Sequence, residues 1–247
     1  MPDLTDAEVR VFPDPDALAE AIATEVCTLV QAAIRLRGEC ALALSGGDTP
    51  RALHGLLADR FAPFVRWDKL HLFWSDERYV PHGSPASNFR MARETLTDLV
   101  PVAPSNLHPI STDLSDPEDA ARTYEAILRG IVPGETPHLD LLLLGMGSDG
   151  HTASLFPHSE ALAETERLVA PSLAPDEPRQ RITLTYPTIN AAAAVFFMVV
   201  SEDKAAMVAR ALDPTTPTDD VPAAGVRPDH GRLIWWLQAV LVNLASM

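Results

Sequence analysis

Leu139-Asp140-Leu141-Leu142-Leu143-Leu144-Gly145-Met146-Gly147-Ser148-Asp149-Gly150-His151-Thr152 is the stretch on which the reading of the fold turns. Five leucines and an aspartate in six residues, closed by glycine, show no alternation of apolar and polar positions. A strand of this kind is buried on both faces, as a central strand is in a parallel sheet covered by helices. The polar run behind it then falls at the strand's carboxyl end, where open α/β sheets bind their ligands.

Working outward, helix and strand patterns alternate. Residues 16–36 carry Leu18, Ile22, Val26, Leu29, Val30 and Ile34 at helical spacing. A strand over 40–44, a tight turn at 45–49 and a helix from Pro50 follow; proline suits a first helical turn, where its missing N–H costs nothing. The patterns then predict a strand over 70–74, a helix over 87–99, a short strand near 107–110 and a helix over 117–129. Beyond the leucine run come strands over 181–185 and 195–200, a helix over 203–212 and a last apolar segment over 232–244. Proline-rich stretches at 171–178 and 214–222 read as surface loops. The expected fold is α/β, a doubly wound, mostly parallel sheet with helices on both faces, in one domain over residues 1–247.

Composition narrows the function classes. A chain of 247 residues, 47% of them hydrophobic, can bury one large core. Apolar runs such as 191–200 fall short of the roughly 20 residues that cross a bilayer. The opening Met-Pro-Asp-Leu-Thr-Asp-Ala-Glu lacks a basic-then-apolar secretory pattern, so a cytoplasmic protein is expected. Cys27 and Cys40 form no CxxC pair and read as buried reduced thiols. A net charge of −15 argues against non-specific nucleic-acid binding, and an anionic ligand would need a local positive pocket.

Three segments carry chemistry. Ser45-Gly46-Gly47-Asp48-Thr49-Pro50 joins a strand to a helix, so Ser45, Thr49 and free N–H groups can surround a phosphate. A plain βα turn is equally compatible with it, and the spacing of an ATP-type P-loop is absent. Ser75-Asp76-Glu77-Arg78-Tyr79-Val80-Pro81 follows another strand and should emerge at the same sheet edge. A bland reading makes its acids helix caps and Arg78 a surface charge, but four charged or hydrogen-bonding residues at a strand's carboxyl end favour a site.

Residues 145–150 match G-x-G-x-x-G, but a dinucleotide site wants an acid at the end of the next strand, and residues 167–172 supply none. The alternative is a glycine-walled turn presenting Asp149 and His151 to a ligand, the carboxylate orienting the imidazole. His158 lacks a third partner for a metal, and none is expected. Arg181 opens an apolar strand, and Lys204 lies in a helix's first turn, where a cation opposes the helix dipole unless an anion sits nearby. No G-x-S-x-G elbow is present, and Ser154 is not in one.

Taken together, these segments resemble the bacterial-type 6-phosphogluconolactonases, in a superfamily that includes the glucosamine-6-phosphate deaminases. Residues 43–50, residues 73–81 with Ser87-Asn88, and above all the run from Leu144 through His151-Thr152-Ala153-Ser154-Leu155-Phe156-Pro157 carry the resemblance. Arg181, Asn190 and Asp203-Lys204 are further landmarks. The resemblance implies a modified Rossmann-like fold, no cofactor and no catalytic metal. Ser45, Gly46, Gly47, Thr49, Arg181 and Lys204 would hold the substrate phosphate, Arg78 and Asn88 would face the sugar, and Asp149 with His151 would line the reacting carbon.

Two positions depart from the family pattern. Asp48 stands where serine is common and is expected to face away from phosphate; Gln238 stands in place of an aspartate. The implied reaction is hydrolysis of 6-phosphoglucono-δ-lactone in the oxidative pentose phosphate pathway, with a small-molecule substrate and no protein or nucleic-acid partner. One rival is a glucosamine-6-phosphate deaminase, which uses a similar Asp-x-His but supports it with a following acid that is absent here. A sugar-phosphate sensor of a transcriptional regulator is a second rival. It should carry a basic helix-turn-helix, whereas the N-terminal segment reads as a single acidic amphipathic helix.

Overall fold

The structure, a computed structural model, describes residues 7–134 and 136–245. Its large sheet has six strands: β1 (Glu8–Phe12), β2 (Cys40–Leu44), β3 (Leu70–Trp74), β5 (Leu141–Leu144), β8 (Ala194–Val199) and β9 (Arg232–Gln238). Their order is β1-β9-β8-β5-β2-β3, and every neighbouring pair is parallel. All residues of β2, β5 and β8 are buried. Because successive strand side chains point to opposite faces, both faces are covered, as the leucine run predicts. At the centre Phe197 stacks on Trp235 with ring centroids 4.0 Å apart, and burying each such ring contributes roughly 1.5–3 kcal/mol.

Helices α1 (Pro15–Arg37), α2 (Asp48–Leu56), α3 (Asn88–Ala92), α4 (Pro117–Ile131), α5 (Tyr186–Asn190), α6 (Ala205–Leu212) and α7 (Ala239–Ala245) complete the fold. Asp14 caps α1 by accepting from Ala17 N at 2.8 Å. Contrary to the expectation from apolar runs, α1 is long and apolar enough to cross a membrane by length and composition. Glu20, Thr24, Glu25, Thr28 and Gln31 interrupt any continuous apolar run, while the alanines and branched aliphatics between them keep the average high. Leu18, Ile22, Ala23, Val26, Cys27, Val30 and Ala33 of α1 are buried in the core, which accounts for its apolar face.

A second sheet is the main departure from the sequence reading. β4 (Asp76–Arg78), β6 (Val169–Leu173) and β7 (Gln180–Leu184) form a three-stranded antiparallel sheet ordered β4-β7-β6. Thus the strand that holds Arg181 is outside the parallel sheet, and Pro171, read as loop, lies within β6. Edge position explains this, since proline is tolerated where its missing N–H breaks no ladder. Ser75 joins the sheets: its N–H donates to Leu44 O and its carbonyl accepts from Leu184 N, each at 2.8 Å.

Two smaller readings also change. Residues 8–12, ahead of the helix expected over 16–36 and assigned no element by the sequence reading, are the edge strand β1. Residues 107–110 make no strand but a bridge, Leu107 with Leu72. Pro109 has no N–H with which to extend the pairing. Tyr124 instead covers the open edge of β3, its hydroxyl accepting from Trp74 N at 2.7 Å and donating to Trp74 O at 2.9 Å.

Candidate active site

From β2 the chain passes outward to β3 and later returns through β5 on the other side of β2. Ligands bind outside the carboxyl ends of strands at such a reversal. The loops that leave β2 and β5 are the Ser45 turn and the Gly145 run. Gly47 takes φ +102°, a conformation L side chains rarely adopt, and turns the chain into α2. The first N–H groups of α2 have no partner within their own helix. Ser45, Gly46, Gly47, Thr49, Gly147, His151 and Lys204 are among the residues lining a cleft of about 230 Å³.

His151 is held by Asp149. Its Nδ1 lies 2.6 Å from Asp149 Oδ1, which also accepts from His151 N at 3.1 Å. With Nδ1 committed, Nε2 is the nitrogen left to exchange a proton with a ligand. The His151 side chain is 32% exposed, and its ring packs on Phe156 with centroids 4.6 Å apart. Burial works to raise the Asp149 carboxyl, but the hydrogen bonds and charge of His151 outweigh it and leave Asp149 below its ordinary value. Gly147 makes the arrangement possible, because a Cβ there would lie 2.2 Å from His151 Nδ1 and 2.5 Å from Asp149 Oδ1.

The small sheet supplies the second wall. Arg78 and Arg181 stand opposite each other in the β4/β7 ladder. With Asp149, His151 and Ser148 they line an adjoining cleft of about 380 Å³. Both guanidinium groups have a buried Nε with no hydrogen-bond partner. Burial, and then the charge of Arg78, lower the pKa of Arg181, while Asp76 and Glu77 oppose them. This corner therefore suits an oxygen-rich ligand that brings hydrogen-bond acceptors. Asn88 Nδ2 donates to Asp76 O at 2.9 Å.

Arg78 and His151 line both clefts, whereas Ser45, Gly46, Gly47, Thr49, Asn88 and Lys204 line the first and Asp149 and Arg181 the second. Asp48, expected to face away, also lines the first cleft, though it is exposed. A carboxylate in the first turn of α2 is favoured by the helix dipole. Gln238 ends β9, paired with Phe12. His158 pairs with Asp220 at 3.6 Å on the exposed surface.

Glu77 fits the bland reading, since it receives Asn88 N at 2.7 Å and Phe89 N at 2.8 Å and so caps α3 across the sequence. The sequence reading placed Asp76 in the polar cluster after β3 but gave it no role of its own; it lines both clefts. Its position directly after a strand beside Arg78 was the available signal. Cys27 and Cys40 are buried free thiols, raised to about 11 and about 12 by burial.

Fold and site define a doubly wound α/β protein with a polar cleft at the sheet reversal and an Asp-His pair in its wall. The chain belongs to the family described as glucosamine-6-phosphate isomerases/6-phosphogluconolactonase, which matches residues 13–235. It is 41% identical to a 6-phosphogluconolactonase of Nostoc sp. over 94% of this chain and 95% of that protein. It is 38% identical to one of Mycobacterium tuberculosis, over 89% and 91%. The solved 6-phosphogluconolactonase of Trypanosoma brucei superposes with a TM-score of 0.88 at 28% identity, covering 97% of this chain and 99% of that one. A monomeric glucosamine-6-phosphate deaminase shares the fold, with a TM-score of 0.80 at 17% identity over 96% and 99%.

Proposed function

We propose that this protein hydrolyses 6-phosphoglucono-δ-lactone to 6-phosphogluconate, a step of the oxidative pentose phosphate pathway, with His151 as general base. The observation that carries the reading is the 2.6 Å contact between His151 Nδ1 and Asp149 in the wall of the cleft. Relatives named for this activity support it at 41% identity. A δ-lactone is an activated ester, so water held beside His151 Nε2 can attack C1 without a covalent intermediate. His151 takes the water proton, a tetrahedral oxyanion forms, and the ring oxygen leaves with a proton returned by the imidazolium. Arg78, which lines both clefts, supplies positive charge toward the oxyanion.

The Ser45-Gly46-Gly47 turn, Thr49 and Lys204 grip the phosphate, Arg181 adds charge from the adjoining cleft, and Asn88 faces the sugar. This route draws on no metal or cofactor. The chain acts as one domain on a small-molecule substrate, a reading supported by the family match across 13–235, and a cytoplasmic setting is proposed with it.

The test is acid release from lactone generated in situ, with wild type beside His151→Ala. Wild type should outpace spontaneous hydrolysis, and the variant should lose about 10²–10⁴-fold in turnover. A folded wild type that gives no acceleration would overturn the reading and turn attention to ammonia release from glucosamine 6-phosphate.

A further inference from the structure

The proposed reaction leaves one buried carboxylate of the cleft without a task. Asp76, the first residue of β4, is 6% exposed and lines both clefts, as do Arg78 and His151. Its Oδ2 accepts from Ser154 Oγ at 2.6 Å, in the short range typical of a hydroxyl donating to a carboxylate. Oδ1 is less well served. Asn88 Nδ2 lies 3.3 Å away and Ser75 Oγ 3.4 Å away, both near the outer limit for a hydrogen bond. A carboxylate offers about four lone-pair sites, so Oδ1 keeps acceptor capacity in a cleft lined by His151.

Two neighbouring donors direct their shorter bonds elsewhere, and Arg78 Nε, which has no partner, makes no bond to Asp76 either. The Asn88 amide makes its shorter bond to Asp76 O, and Arg78 Nη1 donates to Ala86 O at 2.9 Å. A buried carboxylate short of donors is costly. It repels a phosphate but attracts a neutral hydroxyl, and a sugar lactone carries hydroxyls beside its ester carbon. The surroundings of Ser154 are equally specific. This residue donates from N to Thr183 Oγ1 at 3.1 Å and accepts at O from Ser172 Oγ at 2.6 Å, so every polar group it has is tied to the small sheet or to Asp76. Three positions earlier in the chain stands His151. Ser154 therefore fixes the loop of the base and the carboxylate of Asp76 in one frame.

We propose that Asp76 Oδ1 accepts one of the two ring hydroxyls nearest the ester carbon, so that Asp76 is a specificity-determining residue and Ser154 its positioning residue. This deepens the lactonase reading and rests on it. Docking a hydroxyl on Asp76 sets the reacting carbon in register with His151, while the phosphate is held by other residues.

The experiment compares wild type, Asp76→Asn and Ser154→Ala on 6-phosphoglucono-δ-lactone and on its counterparts lacking the 2-hydroxyl or the 3-hydroxyl, with a thermal melt of each protein. On the parent lactone Asp76→Asn should lose about tenfold to a hundredfold in kcat/KM, the size of a hydrogen bond to a charged group. On the one counterpart that lacks the recognised hydroxyl, the same substitution should cost little. Ser154→Ala, which keeps the carboxylate but loosens it, should lose less while showing the same dependence on that hydroxyl. Equal fold losses on all three lactones, or no loss on the parent, overturn the proposal. Those outcomes require a wild type active on the parent; an inactive, folded wild type brings down the lactonase reading itself. Should Asp76→Asn fail to fold, Ser154→Ala carries the same comparison.

Discussion

Histidines meet a polar partner at both ends of the large sheet, with opposite outcomes. At the carboxyl end, His151 is partly exposed in a cleft wall and its neighbour is the carboxylate of Asp149. Toward the amino end of β3, His71 Nδ1 lies 2.9 Å from His108 Nε2, and the two rings stack 12° from parallel. His108 is buried against Phe73, and burial, followed by the charge of His71, pushes it down to about 4. Residue type is the same in both places; the neighbour and the access to solvent differ. Next to a carboxylate and a cleft, an imidazole is an oriented proton acceptor with one nitrogen free. Sealed among rings, it is a neutral packing group.

The strongest way to break this contrast is to disturb the seat of His151 without touching the histidine. In Gly147→Ala the new Cβ must displace the imidazole or the Asp149 carboxylate. A displacement of about 1 Å can cost around 10²-fold, so kcat should fall by about that factor while the fold, followed by circular dichroism, persists. Unchanged kcat would show that Gly147 does not set the position of the base.

A smaller effect is expected at the proposed phosphate end. Lys204→Met should raise KM about tenfold with kcat nearly unchanged, because grip on a remote group is largely uniform binding. A fall in kcat at constant KM would instead place Lys204 at the reacting carbon.

The least visible effect concerns the sealed histidines. His54 is wholly buried and also pushed down to about 4, by burial and then by Arg51. Below about pH 6.5 the unfolded chain protonates these imidazoles and the folded one does not. Their stabilising contribution is therefore complete above that pH and is lost as pH falls toward about 4, by at most ~3 kcal/mol for each group. The thermal midpoint should drop between pH 7 and pH 5, and His108→Phe should flatten the drop without altering turnover at pH 7. Asp149 responds later: its lowered carboxyl keeps its contribution until the pH falls below the ordinary aspartate range. An unchanged midpoint across that window would show that neither sealed histidine is neutral in the folded protein.

Much of the architecture was legible because it rests on local pattern. Cys40–Leu44 and Leu70–Trp74 appear where their apolar runs lie, and the Asp149–His151 pair is separated by only one residue, Gly150, in a glycine turn. Strand β4 was not legible, since three charged residues carry no apolar signature. Strand β6 was hidden by Pro171, which marks a loop in most contexts and is tolerated here at a sheet edge.

By itself, then, the sequence determined the doubly wound class, the place of the two polar loops that line the cleft and the pairing of Asp149 with His151, all consequences of short-range periodicity and turn chemistry. Tertiary structure alone decided that Arg78 faces Arg181 and that Asp76, 78 positions from Ser154, accepts a hydrogen bond from its hydroxyl beside the cleft. The physical reason is that antiparallel register between distant segments depends on how two sheets meet at Ser75, and neither segment encodes that meeting on its own.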